Sequence, residues 1–482
     1  MSEKTKMKKF SFTDLAGIIK AHSRKDTSDE RRATRDELFA GVSIDTRTIK
    51  PGDCFFAIPG ENFDGHDYVA DAFARGAICA VVSKEPKNSK IGLRLLKVDD
   101  TIKALGDFAR EYRRQAGFKV VAITGSVGKT TTRHIAYHVL SRHFRVFQSP
   151  KNFNNNIGLP LTLLGADPKD QIVIAELGTN HPGEIAYLTG IAQPDIAVVT
   201  NVYPVHLEGL GNLQTIIREK LSISEGLKSD GILIINADFG DLLDAACAKG
   251  VKFITFGKSA RTDYHANNVT SDGFGSHFAI NGVDVYLPLP GPGNVENALA
   301  ACAVCAKSGL TIDDFAQAVS AEGGLSPVAM RTELLQIGTL TVLNDCYNAN
   351  PASMKNALVT LSNLKSQISN FKSSERRLVF ICGDMAELGR QSELLHAELG
   401  ESIAKAGVQL LLAVGKFAGV TAQAAKRTAD FIQHHLQIKC FEDTLSACNN
   451  LQEFIKDSDI ILVKGSRAAK LEVIVEKLKA QN

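Results

Sequence analysis

Short apolar runs rich in β-branched residues recur between stretches of helical pattern: Val120–Thr124 (VVAIT), Ile172–Glu176 (IVIAE), Ile196–Thr200 (IAVVT) and Ile232–Asn236 (ILIIN). Such runs show no polar alternation, so they predict strands covered on both faces, paired in parallel and joined by helices as βαβ units. A second set follows at Leu340–Asn344 (LTVLN), Leu378–Cys382 (LVFIC), Leu410–Val414 (LLLAV) and Ile460–Lys464 (IILVK), and predicts a second α/β sheet. Gly and Pro in GGLSPVAMR (Gly323–Arg331) mark a joint between the two sets, and QAGFK (Gln115–Lys119) precedes the first. Ahead of that joint, FFAIPG and AICAVVS suggest a small α/β domain, interrupted by a polar run from Lys20 to Glu37 that reads as a solvated loop. KSQISNFKSSERR (Lys365–Arg377) is polar enough for a surface loop.

Length agrees with this division, since 482 residues exceed one core and point to about three domains at roughly 150 residues each. Hydrophobic residues at 44% and charged residues at 22% are ordinary for a globular chain and give no sign of disorder. Lys plus Arg (55) nearly balances Asp plus Glu (53), so no broad field favours nucleic acid or an anionic membrane. The basic start MSEKTKMKKFSF is followed by no apolar run of signal-peptide length, and a cytoplasmic protein without membrane insertion is expected. Nine cysteines stand mostly alone in apolar stretches, as reduced buried thiols do. Cys302 and Cys305 form a single CxxC inside ALAACAVCAK, a helix pattern that favours packing over redox or metal chemistry.

The strongest local signal is VVAITGSVGKTTT, in which a strand runs into Gly125, Ser126, Val127, Gly128, Lys129, Thr130 and Thr131 and then into a helix. Glycines let backbone N–H groups close around phosphate oxygens, and the helix N-terminus adds partial positive charge. Lys129 would bridge the terminal phosphates of ATP, with the Thr130 hydroxyl on Mg²⁺. The general GxxxxGK[ST] form would need Gly at position 123, where Ile stands, so the loop is a shortened variant. Glu176, at a strand end before Gly178, is the first candidate to complete the metal site, although a lone strand-end Glu is more often a solvated or capping group. His206 in TNVYPVHLEGLG reads by itself as an ordinary loop histidine. Asn294 and Asn297 sit where the turn in LPGPGNVENALAA enters a helix, and capping accounts for one of them. NDCYNANP brings Asp345, Tyr347, Asn348 and Asn350 to a strand end, suited to a nucleotide and equally to a plain turn. Arg331, at the second joint, could reach phosphates or serve as an interdomain ion-pair partner.

Taken in order, TGSVGKTT, KNFNNNIGLPLTLL, AELGTNHPGEI, GPGNVENALAA, NDCYNANPASM and GDMAELG resemble the Mur ligases of bacterial cell-wall synthesis, and the resemblance runs from about Ser43 to about Arg467. SIDTRTIKPGDCFFAIPGENFDGHDY is similar to the UDP-sugar domain of the late members. The resemblance implies an α/β chain of three domains: a UDP-sugar-binding domain at 1–117, a central P-loop ATPase domain with a parallel sheet at 118–327, and a Rossmann-like C-terminal domain at 328–482. It further implies an ATP-dependent ligase that acts through an acyl phosphate. NANPASM and GDMAELG lean toward the member that adds D-alanyl-D-alanine to UDP-N-acetylmuramoyl-tripeptide. The alternatives are the member adding the third residue to the dipeptide, a P-loop ATPase uncoupled from ligation, and a silent scaffold.

The same resemblance implies two Mg²⁺ ions, one held by Thr130 and Glu176 and a second by Glu176, His206 and Lys220, the last as a carbamate. Read alone, Lys220 is an exposed helix lysine. Lys129 joins these as a catalytic group. Asn294, Asn297, Arg331, Asp345, Tyr347 and Asn348 fall at ATP-binding positions, with Asp345 on the ribose. Asp45, Thr46, Arg47, Phe63 and His66 would line the UDP-sugar pocket, and Asn154 and Asn155 would face substrate. A monomer is implied. Gly293 departs from the family, which commonly places His before the first Asn, and the adenine contact changes with it.

Overall fold

The computed structural model describes residues 7–22, 38–39, 41–87, 94–321, 323–368 and 376–481. Most of the predicted solvated loop at 20–37, and the centre of the polar run at 365–377, lie outside these residues.

Nine strands build the central sheet, in the order Val283–Leu287, Ser276–Ile280, Tyr264–Ser271, Phe253–Gly257, Ile232–Asn236, Ile196–Val199, Lys119–Thr124, Ile172–Glu176, Val146–Gln148. Tyr264–Ser271, Ser276–Ile280 and Val283–Leu287 pair antiparallel, and every other pairing is parallel. Adjacent residues of one strand serve two different cores, because side chains alternate across a strand. Val120, Ala122, Val173, Ala175, Ala197 and Val199 pack on one face with the helices Thr101–Ala116, Gly158–Gly165 and Glu184–Ala192. Val121, Ile123, Ile172, Ile174, Ile196 and Val198 pack on the other with Lys129–Leu140, Pro292–Lys307 and Ile312–Ser320. Two-sided burial is the reason the strand runs carry no polar alternation, and each fully buried Val or Ile contributes about 1.5–3 kcal/mol. Cys302 and Cys305 lie in the second of these cores, where burial pushes the Cys302 thiol up to about 12 and raises that of Cys305.

The C-terminal sheet runs Glu333–Ile337, Leu340–Asn344, Ile460–Lys464, Leu378–Gly383, Leu410–Val414, Gln437–Phe441, antiparallel only at the first pair. It too is covered on both faces. The N-terminal body is a four-stranded parallel sheet of Val42–Ser43, Cys54–Phe56, Cys79–Val82 and Leu95–Lys97. The long runs predicted as strands are all strands. Seven strands of these two larger sheets carry no such run, among them the edge strands Val146–Gln148 and Gln437–Phe441 and the antiparallel hairpins.

The helix Thr101–Ala116 ties the N-terminal body to the central sheet. It ends at Gly117, whose φ of 77° supplies the left-handed cap. Tyr112 donates to the Ala166 carbonyl at 2.6 Å, and Arg113 donates to the carbonyls of Ala192 and Gln193 at 3.0 Å. Arg113 also pairs with Asp195 at 2.7 Å while 2% exposed. Breaking a buried pair costs about 3–5 kcal/mol. Asp195 keeps Lys228 and the Val120 N–H as partners, however. Arg113→Ala is therefore expected to lower the unfolding free energy by about 3 kcal/mol, seen as a lower urea midpoint at unchanged slope.

Candidate active site

The strand Lys119–Thr124 is flanked by Ile172–Glu176 and Ile196–Val199. From Thr124 the chain crosses to Val146–Gln148 on one side, and Ile172–Glu176 connects back to Ile196–Val199 on the other. The connections part at this point, so a crevice opens at the carboxyl ends of the strands. A cleft of about 680 Å³ occupies it, closed on its far side by the C-terminal body.

The glycine-rich loop is braced by its neighbours. The Asn201 amide accepts from the Val127 N–H at 2.8 Å and donates to the Val127 carbonyl at 3.0 Å, while Thr200 donates to the same carbonyl at 2.7 Å. Ser126 donates to the Tyr203 carbonyl at 3.0 Å. Gly128 has φ 85°, and a Cβ there would lie 2.1 Å from Asn297 Oδ1. Ser126 to Thr131 line the cleft, with Gly125 behind them. Lys129 Nζ donates to the Gly125 carbonyl at 2.7 Å. Burial pushes its ammonium down to about 8, a shift that Glu176 opposes and Arg331 adds to.

Glu176 is 2% exposed, and Thr130 Oγ1 donates to its Oε2 at 3.1 Å. Arg133 Nε stands 2.9 Å from Oε1, but neither atom makes an aligned hydrogen bond. A buried carboxylate oxygen without a donor, beside a hydroxyl, is an oxygen donor set of the kind Mg²⁺ takes, so these residues fit a divalent cation.

Lys220 is buried at 1% exposure, which overturns its lone reading as an exposed helix lysine. No hydrogen bond or ion pair reaches its Nζ among the described residues, since Glu219 beside it accepts instead from Thr179 Oγ1 and the N–H groups of Gly183 and Ile185. Burial, then Lys129, pushes the Lys220 ammonium well down. His206 lines the cleft and bonds Glu387 of the C-terminal body.

Asn294 and Asn297 are buried and adjoin the loop, but neither caps the helix, which begins after Gly291. Asn294 donates instead to the Pro290 carbonyl at 2.8 Å, and Asn297 donates to Asn294 Oδ1 at 3.1 Å. From the C-terminal body come Arg331, stacked on the Tyr347 ring at 4.1 Å, together with Asp345 and Asn348. Asp345 accepts from the Thr332 N–H at 3.0 Å and from the buried Lys464 at 2.6 Å. Asn154 and Asn155 line the cleft as well, and Asn155 Oδ1 also accepts from the N–H groups of Ile157 and Gly158.

The N-terminal candidates are not among the residues of this cleft. Phe63 is 74% exposed, and Arg47 pairs with Asp45 at 2.6 Å on the surface of that body, where Thr46 neighbours Asp71. His66 is 2% exposed, with Nδ1 on Asp64 at 2.6 Å and Nε2 accepting from the Ser83 N–H at 2.9 Å. It holds the loop behind Phe63 in place. Sequence reasoning passed over Arg133, Asn201, Glu387 and Lys464. Arg133 follows the glycine-rich loop by one helical turn and Lys464 ends a predicted strand, which were the available signals.

Three family descriptions match the chain: "Mur ligase family, catalytic domain" at 38–113, "Mur ligase middle domain" at 123–305, and "Mur ligase, glutamate ligase domain" at 330–467. The UDP-N-acetylmuramoyl-tripeptide–D-alanyl-D-alanine ligase of Bacillus subtilis is 36% identical over 91% of this chain and 93% of its own. The enzyme of the same name from Escherichia coli is 36% identical over 92% and 94%. The crystal structure of MurF from Acinetobacter baumannii superposes with a TM-score of 0.85 at 28% identity, covering 98% of this chain and 99% of that one. MurF from Thermotoga maritima in complex with ADP gives 0.78 at 26% identity, covering 92% and 97%.

Gly128→Ala is expected to weaken ATP binding roughly 10- to 100-fold, because strain of about 1–3 kcal/mol falls on the loop that must close around phosphate. Titration with a fluorescent ATP analogue, with the thermal midpoint as a folding control, checks this.

Proposed function

The chain belongs to the Mur ligase family, and from that premise we infer that it joins D-alanyl-D-alanine to UDP-N-acetylmuramoyl-tripeptide at the expense of ATP, giving the pentapeptide precursor of peptidoglycan. The observation that carries the reading is the cleft in which the glycine-rich loop, Glu176 and His206 of one body face Arg331, Asp345 and Tyr347 of the next.

A carboxylate resists attack by an amine until one oxygen becomes a phosphate leaving group. The tripeptide carboxylate takes the γ-phosphoryl group and ADP departs. The amine of D-Ala-D-Ala then attacks the acyl carbon, phosphate leaves with the C–O bond pair, and the amine proton passes to solvent. In our assignment the N–H groups from Ser126 to Thr131 and Lys129 cradle the phosphates, and Arg331 adds charge from across the cleft. Asp345, which retains acceptor capacity beyond its two protein donors, takes the ribose hydroxyls. Asn294, Asn297, Tyr347 and Asn348 border the nucleotide, and Asn154 and Asn155 border the peptide substrate. Thr130 and Glu176 would hold one Mg²⁺, and Glu176, His206 and a carbamylated Lys220 would hold a second. Bound there, the ions would neutralise the charge gathered by triphosphate and carboxylate.

The carbamate draws support from the burial of Lys220 without a partner, since a buried amine kept neutral is the form that adds CO₂. Exposed Arg47 and Phe63, with the half-buried Asp45 and Thr46, suit the UDP-sugar, and the division at 117 and 327 assigns one substrate element to each body. The reading takes the enzyme as a monomer and as a cytoplasmic protein, where ATP is available. Among the described residues no helix is long and apolar enough to cross a membrane.

Phosphate release from Mg·ATP is expected to require both UDP-N-acetylmuramoyl-tripeptide and D-Ala-D-Ala, with a pentapeptide product by mass spectrometry. Release that ignores the acceptor would replace this reading with an uncoupled ATPase, and product from the UDP-muramoyl-dipeptide with a free amino acid would replace it with the preceding ligase. For Lys220, ¹³C-bicarbonate is expected to give a carbamate NMR signal in the wild type and none in Lys220→Arg, whose activity falls at least about 100-fold by loss of a metal ligand. A wild-type spectrum without the signal rejects the carbamate.

A further inference from the structure

His206 and Glu387 meet where the central and C-terminal bodies touch, with the imidazole Nδ1 hydrogen-bonded to Glu387 Oε2. Both residues have left-handed backbones, φ 51° at His206 and φ 61° at Glu387, a conformation that non-glycine residues adopt rarely. Two such residues facing each other are held by contacts around them. The Glu387 carbonyl accepts from the Glu208 N–H at 3.3 Å, and Leu395 packs on Leu207, Leu210 and Ile216. Strain kept in place by its surroundings at a cleft is a mark of a functional constraint.

The hydrogen bond fixes one nitrogen of the ring. A carboxylate can only accept, so Nδ1 carries a proton, and in the neutral imidazole the lone pair is then on Nε2. Nε2 has no protein partner among the described residues, while His206 lines the cleft that also holds Glu176. Metal-ligating histidines are oriented in this way by a carboxylate on the second nitrogen, which fixes the tautomer and raises the basicity of the ligating one.

We propose that Glu387 is a positioning residue for the second cation site: docking of the C-terminal body brings a carboxylate to His206 Nδ1 and thereby presents Nε2 to a divalent ion beside Glu176. Domain docking and completion of the site are then one event. The inference rests on the assignment of His206 as a metal ligand. It is distinct from that assignment, because Glu387 itself does not touch the ion.

The test is Mn²⁺ binding to the full chain in the presence of ADP and bicarbonate, followed by electron paramagnetic resonance, with ¹⁵N-histidine NMR to read the ring tautomer. His206→Ala is expected to remove one bound Mn²⁺. Glu387→Ala is expected to weaken the same ion about 10- to 100-fold, leave the other unchanged, and shift His206 away from the Nδ1–H tautomer. Glu387→Gln, whose amide oxygen can still accept from Nδ1, should keep the tautomer and most of the affinity. Leu395→Ala loosens the contact without touching the pair, and should weaken Mn²⁺ less than Glu387→Ala. If His206→Ala binds Mn²⁺ as the wild type does, the ligand assignment fails. If His206→Ala loses an ion while Glu387→Ala keeps wild-type affinity or tautomer, or binds more tightly, the positioning role alone is overturned.

Discussion

The buried carboxylate of Glu176 is the charge around which the cleft is arranged. It stands beside Arg133, bonds Thr130, and pulls up the ammonium of Lys129, which burial and Arg331 depress. Lys220, close enough to Lys129 for the two ammoniums to repel, adds a further latent positive charge. Collecting cations in a desolvated crevice is unfavourable, and here the resulting field is aimed at ligands that carry several negative charges. Glu176 offsets part of the repulsion among these cations and is also the group that a cation would need. The position of this residue follows from the sheet, because Glu176 closes the strand paired with the one that leads into the glycine-rich loop.

The loop in turn depends on elements remote in sequence. Thr200 and Asn201 bind both sides of Val127, and Asn297 lies against Gly128. A chain of backbone N–H groups that must remain open for an anion cannot satisfy itself, so its outer edge is fixed by carbonyl and amide contacts from the next strand and from the helix Pro292–Lys307. From sequence, capping accounts for one of Asn294 and Asn297 at the start of that helix. Their burial and mutual hydrogen bond show instead that the helix start serves the loop.

These examples mark how far the sequence could be read. Long strands covered on both faces announce themselves because every position is apolar, and the glycine-rich loop because its residues are contiguous. Val146–Gln148 and Gln437–Phe441 are edge strands with polar or half-exposed positions, and a three- or five-residue segment of that kind carries no period to detect. Lys220 looked exposed since its helix has a polar composition, and only tertiary packing buries it. Arg133, Glu387 and Lys464 were missed for a related reason: each acts through a partner 43 to 181 positions away, in Glu176, His206 and Asp345. His66 is held within its own body. Its neighbours in sequence suit a ligand surface, but Asp64 and Ser83 occupy both ring nitrogens.

Gly293 gains a physical meaning from the packing of the third body. A Cβ at this position would lie 3.2 Å from Asn356 Nδ2, and one at Gly291, whose φ is 97°, would lie 2.3 Å from Thr360 Oγ1. Both neighbours belong to the helix Pro351–Ile368 of the C-terminal body. A side chain as large as histidine at 293 would need the space that the Asn356 amide now holds, so that amide would have to turn aside. The departure from the family pattern therefore exchanges a ring on the central body for a close approach by the C-terminal one, with Asn356 as the polar group that borders the cleft there. Since the same body carries Arg331, Asp345 and Glu387, the two glycines set how near those side chains come to the glycine-rich loop. Contact between the bodies, rather than either body alone, then determines the shape of the nucleotide end of the cleft.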